Sequence, residues 1–502
     1  MTAIALPILV PFLLILVFVL IKSNRAAQFI GVLGSAVLLA VSVYLFVQVT
    51  EYGVLALNMG GWDAPMGITL VVDYLSTIML IVASFIVLAV SIYAIGFMSG
   101  SHKTNKFYIF FFGLVLGVNG AFITGDVFNL YVWFEVILIS SFVLIVIGNS
   151  SDQLEGGIKY MALNLIGSLL FLAGLGLLYG ETGTLNMAHL AQILRENEQS
   201  ILINSSTTLF FIAFGIKAAV FPLFFWLPAS YHTPNITVTA LFAGLLTKVG
   251  VYALIRFFTL FFVQDQFFWL NTLLVVAGFT MVIGGMAASA HFDIRRILSY
   301  HIISQIGYMI MGLAIFTPLS IAGAIFFMIH NMIAKTNTFL IAGMINKLKG
   351  TFYLKDIGGL MKQSPLLAVL FIIPAFALAG VPPLSGFFAK FILFKAGIES
   401  GQYVIVGVAV ITAMLTLYSM VKIWNEAFLK ETPTQDSYTK ALSSHPSAKL
   451  KFLHFLPSII LGLGSIFLGL FAESVYHFTA EAANQLINPQ AYINTVLNQN
   501  ML

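Results

Sequence analysis

Apolar runs of about 20 residues follow one another along the whole of the 502-residue chain. Each is long enough to cross roughly 30 Å of hydrocarbon as a helix. A soluble domain has to offer water a polar surface, and a chain that is 60% hydrophobic and 8% charged, with a mean hydropathy of +1.00, has too little of one. The chain therefore reads as an all-α, polytopic membrane protein. Its first run, MTAIALPILVPFLLILVFVLIK, lacks a basic start and is too long for a signal sequence, so it reads as the first span. The absence of cysteine excludes disulfides, thiolate-bound iron–sulfur clusters and cysteine zinc sites.

Fourteen spans fit the sequence, at roughly 3–22, 28–49, 72–98, 107–124, 127–148, 159–180, 207–227, 237–262, 267–289, 298–316, 319–345, 365–396, 403–428 and 453–476. Segment 183–196 reads as a short amphipathic surface helix between spans six and seven. The longest hydrophilic stretch, Lys430 to Lys451, reads as a loop. Basic residues collect in or beside the odd-numbered loops, from Lys22 and Arg25 to Lys449 and Lys451, while the even-numbered loops hold only Arg195. By the positive-inside rule the odd loops are cytoplasmic and both termini lie outside.

Seven basic residues fall within spans or at their edges. Arg256 and Lys395 are expected to reach the headgroups along their stems, and Lys422 to pair with Glu426 one turn on. His301, near Arg295 and Arg296, is expected at the interface, and Asp73 can cap span three. That leaves Lys217, Lys248, Lys335 and Lys390. A lysine at the centre of a membrane helix costs about 2.5–3.5 kcal/mol on insertion scales, so it is paired or lines a watery path.

Two of these lysines lie beside helix breakers. Lys217 precedes Pro222 in GIKAAVFPLFFWLPASYHTP, and Lys390 follows Pro382 and Pro383 in GVPPLSGFFAKF. Proline removes a backbone donor and clashes with the preceding turn, and broken helix survives at membrane depth only against protein or a water-filled cavity. The breaks are five spans apart. This suggests two five-helix repeats, spans four to eight and nine to thirteen, inverted relative to one another with spans seven and twelve discontinuous. The chain then divides into three N-terminal spans (1–106), a first repeat (107–263), a second repeat (264–428) and a part holding a loop, the last span and a tail (429–502).

Glu135 sits near the middle of span five among apolar residues. A lone charge there is costly, but a carboxylate and an amine together can both be ionised, and a change in one alters the other. Lys217 is the natural partner. Lys248 and Lys335 follow in spans eight and eleven, with His330 and Asn331 near Lys335, and Lys390 ends the row. Ser140, Ser141, Ser168, Thr247, Ser304, Gln305 and Tyr308 can hold bridging water. A single buried pair could serve only to fix helix register; four lysines and a glutamate at one depth suggest a file of protonatable groups.

The motifs GIKAAVFPLFFWLPASYHTP, WFE, DIRRILSYHIISQIGYM, IHNMIAK and GVPPLSGFFAKF, in this order over roughly 70–430, resemble the antiporter-like subunits shared by respiratory complex I and the Mrp multisubunit sodium/proton antiporters. Within that family the length is most similar to the D-type Mrp group. The resemblance implies the fourteen-span fold with inverted repeats. It also implies Glu135 and Lys217 as a coupled pair, Lys248 and Lys335 as central relay lysines, Lys390 as the far-end lysine, and His330 at a polar position of span eleven. It implies work within a hetero-oligomer of other Mrp subunits.

The expected function is that of a proton-translocating subunit of a Na+/H+ antiporter in the bacterial cytoplasmic membrane, a secondary transporter subunit and not an enzyme, without cofactor or metal. The spans hold no cluster of acidic oxygen ligands for sodium, so sodium is expected to cross in another subunit or at an interface. The alternative is a proton-pumping membrane subunit of a complex I or membrane-bound hydrogenase type redox complex. A structural subunit without conduction would tolerate neutral replacement of all four lysines, and an organic-solute carrier would need a roomy central pocket.

Overall fold

A backbone in lipid has to satisfy its hydrogen bonds within its own segment, so helices dominate. The computed structural model describes residues 2–98, 104–196, 200–432 and 450–497. In chain order they form α1 (Leu6–Leu20), α2 (Asn24–Tyr52), β1 (Leu55–Asn58), β2 (Thr69–Val72), α3 (Tyr74–Phe97), α4 (Thr104–Ile123), α5 (Val127–Val146), α6 (Ser151–Thr182) and α7 (Met187–Glu196). There follow α8 (Ile201–Ala218), α9 (Trp226–Ser230), α10 (Ile236–Leu260), α11 (Gln266–Ala290), α12 (Ile294–Ile315), α13 (Pro318–Lys349) and α14 (Leu360–Gln363). The chain continues through α15 (Pro365–Ala379), α16 (Ser385–Glu399), α17 (Tyr403–Trp424), α18 (Phe452–Leu470), α19 (Ala472–Ile487) and α20 (Gln490–Leu497). Among the described residues thirteen helices are long and apolar enough to span a membrane. The pair α15–α16 adds the remaining crossing expected from the sequence, since each half is only 15 residues long.

Local chemistry sets the helix ends. α13 starts from Thr317 in a capping box with Ser320, has Pro318 at its first position, and stops at Gly350, whose φ of 74° only glycine adopts freely. α7 confirms the amphipathic reading of 183–196: Met187, Ala188, Leu190, Ala191 and Leu194 are buried. Its Arg195 donates to the carbonyls of Thr259 and Leu260 at the end of α10, at 3.5 and 3.4 Å. Small polar residues let α2 approach α3: Ser35 meets Ser91 at 3.0 Å and Ser42 meets Ser84 at 2.9 Å.

Burial sorts the helices into two kinds. α10, α12 and α13 are enclosed by protein along nearly their whole length, whereas α1, α2, α6, α11 and α17 each turn an apolar face outward. Lys248 and Lys335 ride on the enclosed helices, where other side chains can meet them, not on the lipid-facing ones.

The fold is helical as expected, with one small addition: β1 and β2 pair antiparallel between the second and third spans, with Leu55 opposite Val72. Outside lipid a backbone can pair with a neighbouring strand, and runs of four residues are too short to stand out beside apolar helices. The tail folds into α19 and α20. Arg256 does not reach the headgroups. It grips Asp73 through two hydrogen bonds of 2.6 and 2.9 Å, with Tyr252 Oη at 3.1 Å and the Tyr492 ring of α20 at 5.5 Å. Asp73 caps α3 as expected and serves the pair as well. The loop expected at Lys430–Lys451 lies, for 433–449, outside the described residues, as do Lys103, Lys440 and Lys449.

The Asp73–Arg256 pair is almost completely buried, 4% and 7% exposed in the side chains. Removing one partner of such a pair leaves a charge without compensation, at a cost of about 3–5 kcal/mol. Arg256→Met is therefore expected to lower the thermal unfolding midpoint of the detergent-solubilised protein clearly. An unchanged midpoint would show that the pair holds nothing together.

Candidate functional site: a file of buried amines

The two helix breaks build the ends of the site. α8 stops at Ala218, Ala219 turns back with a φ of 61°, and Pro222 has no N–H to offer. The freed groups find partners in the protein. Phe221 N donates to Thr280 Oγ1 of α11 at 2.9 Å, and Trp226 Nε1 donates to the Ile216 carbonyl at 2.8 Å. Gly250 of α10 lies so close that a Cβ there would sit 2.5 Å from Ala218 N. The second break repeats the pattern. α15 ends at Gly380, with a φ of 89°, and its last carbonyls, of Leu378 and Ala379, accept hydrogen bonds from Lys390 Nζ, both at 2.9 Å. The ammonium thus sits at the negative end of a helix.

At the first break Lys217 Nζ donates to the Asn164 carbonyl and to Ser168 Oγ of α6, both at 3.1 Å, and lies 5.7 Å from the centre of the Phe134 ring. Glu135 is within electrostatic range of Lys217, but among the described residues no ion pair joins them. One carboxylate oxygen of Glu135 is buried without a partner. The expected neighbours are brought near each other but not into contact, because α6 takes the hydrogen bonds of the amine. The Asn164 acceptor is a backbone carbonyl, so no side-chain pattern in the sequence could have pointed to it.

Lys248 Nζ donates to the Ala243 carbonyl of its own helix at 2.6 Å. Lys335 is wholly buried and its Nζ has no partner among the described residues. Lys248 and Lys390 both act electrostatically on Lys335, so these three form one connected group. His330 joins it: its Nδ1 meets Ser385 Oγ at 2.8 Å, Ser385 meets Ser465 of α18 at 3.1 Å, and its Nε2 is unpartnered. Both side-chain atoms of Asn331, Thr247 Oγ1 and Ser304 Oγ are also buried without partners. Buried polar groups in folded proteins are satisfied by protein or by ordered water, so these unpaired atoms are places where ordered water would be called for. Lys217 stands apart from these three: its amine turns to α6, while the backbone at the end of α8 lies against α10 at Gly250.

Two further expectations change here. Lys422 does not pair with Glu426; its Nζ donates to the Ser289 and His291 carbonyls at the end of α11, both at 2.6 Å, while Glu426 holds Lys430 at 3.1 Å. His301 is not interfacial. α12 begins at Ile294, so His301 lies two turns inside, fully buried.

On the odd-loop side a cavity of about 410 Å³ opens beside the first break. Its lining includes Asp152, Glu155, Lys159, His232, His291 and Arg296. Burial, with Arg296 and Arg295 nearby, lowers the pKa of His232 against the effect of the Pro228 carbonyl. Burial, with Arg296 and Lys422 nearby, lowers that of His291. Both rings are therefore neutral at pH 7.

A model of the NADH:quinone oxidoreductase/Mrp antiporter membrane family matches residues 124–416, and one of the complex I chain 5 N-terminus matches residues 57–108. The chain is 44% identical to the D subunit of the Na(+)/H(+) antiporter of Alkalihalophilus pseudofirmus, covering 98% of this chain and 99% of that one. This chain belongs to the NADH:quinone oxidoreductase/Mrp antiporter family. It is also 38% identical to the D subunit of the Na(+)/H(+) antiporter of Bacillus subtilis, over 98% and 99% of the two chains. A chain in the structure of the Mrp complex from Dietzia sp. superposes with a TM-score of 0.91 at 31% identity, covering 99% of this chain and 100% of that one. A chain of respiratory complex I from Thermus thermophilus shares the fold, with a TM-score of 0.81 at 22% identity over 96% and 99% of the two chains.

Family membership makes the packing of the second break a general test of the site. A Cβ on Gly386 would fall 1.7 Å from the Ala377 carbonyl oxygen and 2.9 Å from the His330 ring. Gly386→Ala is expected to force α15 and α16 apart and to abolish transport or assembly, read by co-purification of companion subunits and by vesicle assays. Normal assembly with normal transport would show that the half-helices need not meet so closely.

Proposed function

We propose that this chain is the proton-conducting, D-type subunit of a multisubunit Na+/H+ antiporter in the bacterial cytoplasmic membrane. The observation that carries the reading is the file itself: four buried lysines, two of them at helix breaks, and a half-buried glutamate with one enclosed oxygen, among polar atoms that call for water. An amine can take a proton from one water and give it to the next, and each such change alters its neighbours within electrostatic range. Protons driven inward come in near the second break, pass Lys390, Lys335 and Lys248 with His330 alongside, and leave through the polar cavity beside the first break. The Glu135–Lys217 couple gates the transfer, since its members lie within electrostatic range without being locked together.

The odd loops face the cytoplasm and both termini lie outside, in keeping with where the basic residues fall. Spans four to eight and nine to thirteen act as inverted repeats, 107–263 and 264–428, each contributing one broken helix and its lysine. The work is ion transport and not enzyme chemistry, driven by the proton gradient and by the membrane potential at about 2.3 kcal/mol per charge per 100 mV. Sodium crosses with the help of companion subunits. The full-length identity to antiporter D subunits favours this over a redox-driven pump, for which the shared family models and the fold speak.

In everted membrane vesicles containing the assembled complex, Glu135→Ala and Lys217→Ala are each expected to abolish sodium-dependent proton exchange while assembly persists. Full exchange in either variant would refute the gate.

A further inference from the structure

His301 has no place in the file, yet it is fully buried and neither ring nitrogen has a partner among the described residues. A neutral imidazole carries one donor and one acceptor, and both need satisfying in a protein interior. The face of α12 that carries His301 continues through Gln305 and Tyr308, one and two turns on. Across from it α17 presents Thr412, Thr416 and Ser419, all fully buried and at helical spacing. The two strips meet: Gln305 Nε2 donates to Thr416 Oγ1 at 3.3 Å, and Tyr308 Oη donates to the Ala409 carbonyl at 2.5 Å. Gln305 Oε1 is left without a partner.

This seam has two ends. At mid-membrane depth the Tyr308 ring lies 5.5 Å from Lys390 Nζ. At the odd-loop end Ser419 meets Ser289 at 3.1 Å, and Lys422 binds the Ser289 and His291 carbonyls. His291 stacks on Tyr300, 5.0 Å between ring centres, and both rings line the polar cavity. His301 stands between the ends, within electrostatic range of Lys335 on α13, Lys390 on α16 and Lys422 on α17.

We propose that His301 is a proton-carrying residue on a side branch, between α12 and α17, that joins the file at Lys335 and Lys390 to the odd-loop end of the second half. The proposal rests on the file reading above. The proton balance is simple. A protonated amine of the file gives a proton to water held by Gln305 and Thr416, that water passes one to a ring nitrogen of His301, and the other ring nitrogen releases its own proton to water on the odd-loop side. An imidazole can do this without leaving its place, whereas glutamine keeps the hydrogen bonds and cannot carry the charge.

The test uses the assembled complex in everted vesicles. His301→Gln is expected to lower the maximal rate of sodium-dependent proton exchange at least tenfold, with assembly and the half-saturating sodium concentration unchanged. A packing role alone would not produce that split. Thr416→Val, which leaves His301 intact and removes a hydroxyl from the seam, is expected to lower the rate several-fold. His301→Gln working within twofold of wild type overturns the branch. If that variant fails to assemble, a wild-type rate in Thr416→Val overturns it instead. Lys335→Ala separates the two readings: full exchange there brings down the file and the branch together, whereas a dead Lys335→Ala beside a fully active His301→Gln removes the branch alone.

Discussion

The cost of holding an ammonium group in hydrocarbon shapes the rest of the molecule. An isolated charge at mid-membrane cannot persist, so every buried amine has to be given protein or water. The chain does this by breaking helices where the amines sit. A break releases carbonyls that an intact helix would use internally, and Lys390 takes two of them, from Leu378 and Ala379. At the other break the released groups are taken up by Thr280 and Trp226, which leaves Lys217 to the Asn164 carbonyl and Ser168 of α6. The prolines, the left-handed Ala219 and Gly380, and the lysines thus form one arrangement at each end of the file.

The same cost decides which helices lie inside. α10, α12 and α13 run through the centre, shielded by helices that present apolar side chains outward. Polar side chains of the centre therefore sit on helices that are packed closely against one another. Glycines make two of these contacts possible: Gly250 against the end of α8, and Gly386 against the end of α15. Neither position has room for a larger residue, and both lie where a lysine-bearing segment meets its neighbour.

Much of this was legible in the sequence, because a charge or a proline inside an apolar run violates the pattern of a membrane helix. Lys217, Lys248, Lys335, Lys390, Glu135 and both breaks stood out for that reason. Neutral polar residues did not. Thr416 looks like any small polar residue in a span, and only the neighbouring helix shows that it accepts from Gln305; the Asn164 group that accepts from Lys217 is a backbone carbonyl, which any residue would offer. Proximity in sequence misled twice. His301 follows Arg295 and Arg296 closely, but a helix rises about 1.5 Å per residue, so seven positions from Ile294 carry it well into the membrane. Lys422 lies one turn from Glu426, yet the carbonyls at the end of α11 are the nearer acceptors. The Asp73–Arg256 pair, 183 positions apart in the chain, left no local trace.

That pair also shows by contrast what the file is suited to. Arg256 and Asp73 meet through two charge-assisted hydrogen bonds, and a guanidinium does not give up its proton in a protein. Both charges are fixed, and the pair ties α3 to α10. The lysines of the file are held differently. Their partners are backbone carbonyls and a serine hydroxyl, or nothing in the chain at all for Lys335. A carbonyl accepts a hydrogen bond from an ammonium or from a neutral amine, so it positions the nitrogen without dictating its charge. Among the described residues no carboxylate touches any of the four lysines, and Glu135, the nearest to one, stays beyond ion-pair distance. The protein therefore holds buried basic groups in two ways: a locked pair that makes a fixed joint in the fold, and loosely held amines, which suit the proton transfer we propose.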